Sequence, residues 1–224
     1  MDYKRNRRYF ESISWKGAII SIIIGLILLS AYAPLGVIIL ISAGAYLYFK
    51  IKGRPTDGEI DAIIQKQADI ALEKGYDKLG VDPDEVNLID PIVIHGPMFQ
   101  RIRLPYLTKK GKDEYVRSSN HEIMVFFFSE QQVYFYNYSF SIIDDEINEG
   151  TDEYFYRDVV SVSTSSTTTT YTDSRTKKEE TFSLEVFKLT TSGATSMTCA
   201  IQDSNSVQNQ IRGMKNLLRE KKSA

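Results

Sequence analysis

Hydrophobic and polar positions divide this chain into three stretches of different rhythm. From Gly17 to Phe49 there are 33 residues without one charge. A continuous helix of that length would run to roughly 50 Å, against a hydrocarbon core of about 30 Å. Pro34 and Gly36 interrupt the run, and Pro34 biases Ala33 away from helical geometry. A turn near residues 31–36 is therefore expected, dividing the run into two membrane-spanning halves, Gly17–Ser30 and Val37–Phe49. Trp15 and Lys16 extend the first half, and Tyr46, Tyr48 and Ile51 extend the second, toward the roughly 17 residues a span needs. The small residues Ser42, Gly44 and Ala45 would let the two backbones approach closely.

A helical period follows. After the breaker Arg54-Pro55-Thr56-Asp57-Gly58, the residues Ile60, Ile63, Ile64, Ala68, Ala71 and Leu72 recur at i, i+3 and i+4. They predict a helix capped by Thr56 or Asp57 and ending about Leu79, packed on the domain that follows. Beyond Asp82-Pro83-Asp84-Glu85 the rhythm changes to that of strands. Short ones are expected at Pro91–His95 and Met98–Leu104. The stretch HEIMVFFFSEQQVYFYNYSFSII, 121–143, reads as a hairpin turning at Ser129–Gln131, and EYFYRDVVSVS, 153–163, as a further strand. Phe182–Thr190 and Thr195–Ile201 read as a second hairpin. A closing helix about Ser204–Lys221 gathers Val207, Ile211, Met214, Leu217 and Leu218 on one face.

Charge sharpens this division. Residues 1–54 carry eight Lys/Arg and two Asp/Glu, net +6; residues 55–224 carry 19 and 27, net −8. Lys4, Arg5, Arg7, Arg8 and Lys16 precede the first apolar half; Lys50, Lys52 and Arg54 follow the second. The turn between them is uncharged. The positive-inside rule then places both ends in the cytoplasm, giving a multi-pass inner-membrane protein with a cytoplasmic soluble domain. The rival reading is a single span kinked at Pro34, which would force one basic flank outward. Domain boundaries follow: 1–54 for the basic N-terminus and transmembrane hairpin, 55–90 for a juxtamembrane helix and linker, 91–224 for the β domain. The acidic soluble part argues against a nucleic-acid partner.

Strand order followed by one terminal helix carries a family resemblance. In EYFYRDVVSV (153–162), FKLTTSGATSMTCAIQD (187–203) and QIRGMKNLLREKK (210–222), the chain resembles the bacterial pleckstrin-homology-like (GRAM-like) domains of membrane proteins. That resemblance implies an α+β soluble domain, a seven-stranded antiparallel, partly open barrel or sandwich capped by a C-terminal helix. It implies a scaffold role and no catalytic residues.

Candidate chemistry is sparse. The stretch RIRLPYLTKKGKDEYVR, 101–117, offers Arg101, Arg103, Lys109, Lys110, Lys112 and Arg117 as ligands for an anionic lipid headgroup or another small anion. A solvated hairpin guarding a sheet edge is the plainer reading of the same residues. DDEINEGTDE, 144–153, lacks the spacing of a calcium loop and reads as a solvated turn. The Ser/Thr-rich run 161–180 reads as a long, mobile β arm. His95 and His121 have no ligand-like neighbours, and Cys199 reads as a buried apolar residue. No phosphate loop, serine elbow or HExxH motif occurs. The expectation is a non-enzymatic interaction or scaffold module on the membrane, with no cofactor and no metal. Its partners would be the lipid bilayer, another protein and a second copy of itself. A lipid or small-ligand sensor is the second expectation, and a membrane-acting stress or defence effector the third.

Overall fold

The 33-residue uncharged run folds as two helices, broken at a single residue. In the computed structural model, helix α1 (Tyr3–Phe10) precedes α2 (Lys16–Ala31) and α3 (Ala33–Lys52). The structure describes the chain except Gln100, Arg101, Arg103, Leu104, Ala194, Gln202, Asp203 and Ala224, and the side chains of Ser204, Asn205, Ser206 and Ser223. Tyr32 alone leaves helical geometry, with φ −149° and ψ 86°. The expected turn over 31–36 is thus shorter: Pro34 sits in the first turn of α3, where its missing N–H costs nothing. Contacts pair early residues of one helix with late residues of the other. A Cβ on Gly25 would meet Leu40, and one on Gly36 would lie 2.6 Å from the Leu29 amide nitrogen. At the far end Lys50 Nζ reaches the Ser14 carbonyl at 3.4 Å. The stretch opened by Ala33 is long and apolar enough to cross a membrane; α2 is apolar but shorter.

Helix α4 (Asp57–Leu79) begins with a complete capping box. The Thr56 hydroxyl accepts from the Glu59 amide at 3.2 Å, and the Glu59 carboxylate accepts from the Thr56 amide at 2.8 Å. It ends at Gly80, whose φ of 66° a side chain would resist.

Nine strands follow among the described residues. They are β1 (Ile92–Met98), β2 (Thr108–Lys110), β3 (Val116–Ser118), β4 (Asn120–Phe128), β5 (Gln132–Ser141), β6 (Ile147–Phe155), β7 (Val159–Thr172), β8 (Glu179–Thr191) and β9 (Ser196–Ile201). Helix α5 (Ser204–Ser223) closes the chain. The strands form three antiparallel sheets, ordered β1-β4-β5-β6, β2-β3 and β7-β8-β9, and not a closed barrel. Seven strands were expected. The short β2–β3 ribbon was missed because it carries no period. The strand expected at Met98–Leu104 is not found among the described residues: β1 runs on to Met98; Phe99 and Ile102 lie in no strand; Gln100, Arg101, Arg103 and Leu104 lie outside the described residues. β6 was also hidden, in the acidic stretch read as a turn. What read as one strand, 153–163, is the end of β6, a 3-10 turn at Tyr156–Asp158 and the start of β7. At this corner the chain leaves the four-stranded sheet for the three-stranded one.

The four-stranded sheet is the middle layer. A strand buried on both faces reads as a continuous apolar run, and IMVFFF in β4 is such a run. Its alternate residues separate cleanly. Met124, Phe126 and Phe128 join Phe135, Phe187, Leu189 and the inner face of α5. Ile123, Val125 and Phe127 join Tyr136, Tyr138, Phe140 and the Ile60, Ile64, Ala68, Ala71 stripe of α4. The juxtamembrane helix is therefore one layer of the domain itself. Burying a side chain such as Ile60 or Ile64 contributes about 1.5–3 kcal/mol.

The basic N-terminus, expected to be a flank only, supplies α1 to this second core. Tyr9 and Phe10 are buried beside Ile60 and Phe140. Asn6 Nδ2, also buried, donates to the Ile142 carbonyl at 2.9 Å.

Candidate functional site

The β2–β3 ribbon sits over the start of α4, and the ion pairs between them follow from register. Lys109 and Arg117 are directly opposed across the ribbon. Like charges so placed repel, and two carboxylates offset them. Asp57 and Asp61 stand one helical turn apart on α4, on one face. Lys109 Nζ lies 3.2 Å from Asp57 and 3.4 Å above the Tyr9 ring. Arg117 grips Asp61 with Nε at 2.8 Å and Nη2 at 2.7 Å, and Asp113 with Nη1 at 2.9 Å and Nη2 at 2.6 Å.

The electrostatics of this cluster are those of a closed network. Burial alone would raise the Asp57 carboxyl, but the Lys112 amide, the Tyr9 hydroxyl and the Lys109 ammonium outweigh it and hold it well below the carboxylate range. The Tyr9 phenol is driven up, chiefly by burial and then by its bond to Asp57 at 2.7 Å. Burial lowers Lys109 despite its partner. Hydrogen bonds to Asp113, then to Asp61, raise Arg117 further.

The 173–178 turn docks onto the same ribbon. Thr108 donates from its amide to Ser174 Oγ at 2.9 Å and from its hydroxyl to the Thr172 carbonyl at 2.5 Å. The Ser174 amide returns a bond to the Thr108 carbonyl at 2.8 Å. Buried Asp173 accepts from the amides of Arg175 and Thr176, and Arg175 Nη2 donates to the Lys110 carbonyl at 3.1 Å. The arm expected to be mobile is therefore a β7–β8 hairpin pinned at its tip.

Between these pieces lies a cleft of about 500 Å³. Pro55, Thr56, Asp57 and Gly58 form one wall; Lys109, Lys110, Gly111, Lys112 and Arg175 form the other. A smaller hollow of about 330 Å³, including Arg7, Ser12, Ser174 and Lys177, adjoins α1. Arg54, at the end of α3, donates to the carbonyls of Glu11 and Ser12 at 2.5 and 3.3 Å, placing this face beside the ends of both apolar helices.

Of the six residues expected to bind an anion, Lys109, Lys110 and Lys112 line the cleft. Arg117 stands behind it, buried and doubly paired, and Lys110 pairs with Glu114. Arg101 and Arg103 lie outside the described residues. Arg7, Arg175 and Lys177 join the face from segments distant in sequence. Lys112, Lys177 and Lys178 are exposed residues of these segments. The arrangement can hold an anion at the Lys112–Arg175 end, while the Asp57 end is occupied by internal pairs.

His121, Cys199 and the acidic stretch lie in buried or paired surroundings. His121 is buried, with its Nε2 2.9 Å from the Ser118 carbonyl, and burial lowers its pKa to about 4. Burial pushes the Cys199 thiol up. In the acidic stretch, Glu149 lies on β6 and pairs with Lys74 and Lys78 of α4, which lower it to about 2. Among the described residues, no group of three or more His, Cys, Asp and Glu side chains is placed to hold a metal ion. Comparison of the chain with family models, curated proteins and solved structures found no match.

Proposed function

We propose that this chain is a membrane-mounted, non-enzymatic interaction module: a two-helix transmembrane hairpin holding a pleckstrin-like domain on the cytoplasmic side of the inner membrane. One observation carries the reading. The anchor and the domain share a core, because α1 buries Tyr9 and Phe10 in the domain before the chain enters α2. Arg54 and the Arg5–Glu59 pair brace the exit of α3 against α1 and α4. A domain held this way presents one fixed face to the bilayer and the others to partners, which suits a platform better than a flexible tether.

The hairpin reading is supported by the opposed contacts Gly25–Leu40 and Gly36–Leu29, by the uncharged turn and by basic residues at both outer ends. The pleckstrin-like reading is supported by the four-stranded sheet β1-β4-β5-β6 and the three-stranded meander β7-β8-β9 with α5 against their shared core. Labelling tests the topology. In a Cys199→Ala background, a thiol placed by Thr172→Cys is exposed on the arm. A membrane-impermeant maleimide is expected to reach it only after the inner membrane is opened; labelling of intact spheroplasts would refute the cytoplasmic placement.

A second reading, capture of anionic headgroups, is favoured by Lys112, Arg175 and Lys177 lying on the face beside the ends of α2 and α3. In nanodiscs, anionic lipid is expected to protect residues 109–112 and 173–178 from hydrogen exchange, and salt to reverse this. Equal exchange in zwitterionic and anionic lipid would remove the headgroup reading and leave the platform standing.

A further inference from the structure

A cleft of about 630 Å³ lies between the two larger sheets. Helix α5 packs at the other end, against the 3-10 turn and the start of β7. Alternate residues of the inner faces make the floor of the cleft: Glu122 and Met124, Phe135 and Asn137, Leu184 and Val186. Its open side is built differently. Gly150, Thr151 and Asp152 of β6 line it consecutively, and so do Thr167, Thr168 and Thr169 of β7; residues 196–200 of β9 do the same on the opposite side, where β9 is covered by β1. Side chains alternate along a strand, so three consecutive lining residues mean that the backbone edge itself faces the cleft.

The β6 and β7 edges are outer ones. β6 ends the four-stranded sheet and β7 begins the three-stranded sheet, and no described strand pairs with their far sides. Exposed edges are ordinarily guarded by charges, proline or short length. β6 follows that rule, with Glu149, Asp152 and Glu153. β7 does not: from Val159 to Thr172 it has 14 residues with no charge, no proline and no glycine, and it is rich in β-branched threonine. The cleft beside it carries two carboxylates, Glu122 and Asp152, and no Lys, Arg or His among its lining residues.

We infer that this cleft receives an extended peptide segment of a partner protein, which adds a strand to β7 and brings Lys or Arg side chains within reach of Glu122 or Asp152, which lie two strands apart in the sheet. Main-chain bonds to the unguarded edge would supply affinity, and the acidic floor would supply selectivity. The inference rests on the interaction-module reading and names its partner surface. A second copy of the chain is the poorer occupant, because its β7 brings no cation and its β6 would oppose acid to acid.

The test uses the full chain in detergent micelles and a labelled probe, acetyl-Thr-Val-Thr-Lys-Thr-Val-Thr-amide, followed by fluorescence anisotropy. Two N-methylated versions each block one edge of the probe; a third probe replaces Lys with Glu; n-butylamine is the fourth. The Lys peptide is expected to bind. The Glu peptide and at least one N-methylated peptide should bind tenfold or more weakly, as should the Lys peptide to the Glu122→Gln/Asp152→Asn variant. Failure of the Lys peptide to bind overturns the proposal. Equal binding of both N-methylated peptides, or displacement of the probe by n-butylamine alone, overturns strand addition in favour of a small-amine pocket. A Thr168→Cys chain that cross-links to itself and excludes the probe assigns the edge to a second copy and overturns it too. The peptide arms need no protein variant, so a folding defect in the double variant leaves them intact. Because the Thr172 labelling is independent, loss of peptide binding with cytoplasmic labelling retained removes this surface and not the module.

Discussion

Replacing Arg117 with Ala decides whether the basic ribbon is built for a ligand or for the fold. The Arg117 side chain is 4% exposed and makes four charge-assisted hydrogen bonds to two carboxylates. Breaking a buried pair by removing one partner costs about 3–5 kcal/mol when the remaining charge stays buried. Here the abandoned carboxylates, Asp61 and Asp113, are 38% and 41% exposed, so water can reach them. The expected loss is therefore below that range, about 2–3 kcal/mol. Arg117→Lys, with one ammonium in place of a fork, should lose about half as much. Cys199 supplies the assay, since it is the only thiol and is buried. Its labelling by a maleimide along a urea series in mild detergent reports opening of the β sandwich. A shift under about 0.5 kcal/mol for Arg117→Ala, the level of an ordinary surface change, would refute the structural role and return Arg117 to the ligand candidates.

Three further outcomes are expected. His121 is neutral in the fold with its pKa lowered to about 4, against 6.5 for the ordinary group. The unfolded chain therefore takes the proton first, so this contribution is intact above pH 6.5 and is lost on acidification toward 4, by up to about 3 kcal/mol. Urea titrations at pH 7, 6 and 5 should show this decline, and His121→Phe, stacking on Phe140, should flatten it. Phe10→Ala empties a fully buried site and should cost about 3 kcal/mol; amide exchange in residues 3–10 should rise before that of β5, and a uniform rise would contradict separate docking of α1. Gly36→Val forces a Cβ onto the Leu29 backbone, so exchange across residues 25–36 in nanodiscs should increase; unchanged protection would mean that α2 and α3 do not pack in the bilayer as they do here.

What could be read in the sequence was whatever depends on near neighbours. The cap of α4 at Thr56, the turn at Ser129–Gln131 and the α5 stripe from Val207 to Leu218 were each expected and found. The apolar run in β4 likewise marked a strand needing cover on both faces. Helix α1 was missed because eight residues rich in Arg and Tyr carry too little period, and their role as a charged flank explained them already. Its partners, Phe140 and Ile142, lie about 130 residues away. The arm over 161–180 read as mobile because Ser and Thr look solvated until Thr108 and Ser174 are seen to exchange bonds.

The basic ribbon shows where such reading stops. Six cations in 17 residues suggest a binding surface, and nothing local reveals that two of them are matched to carboxylates 52 and 56 residues earlier. Yet the match has a signature: Asp57 and Asp61 at helical spacing, Lys109 and Arg117 equidistant from the five-residue connection 111–115. A cross-strand pair and a helical i, i+4 pair present charges at similar separations, so each can neutralise the other face to face. The N-terminal charges have a comparable double use. Arg5 and Arg54 belong to the basic flanks of the apolar run, and each also makes a packing contact: Arg5 pairs with Glu59 of α4, and Arg54 donates to the Glu11 and Ser12 carbonyls after α1. Under the proposed topology, membrane orientation and domain packing are therefore written in the same residues. Removing residues 1–54 would take away a wall of the core along with the anchor, exposing the Ile60, Tyr138 and Phe140 surface that Tyr9 and Phe10 cover.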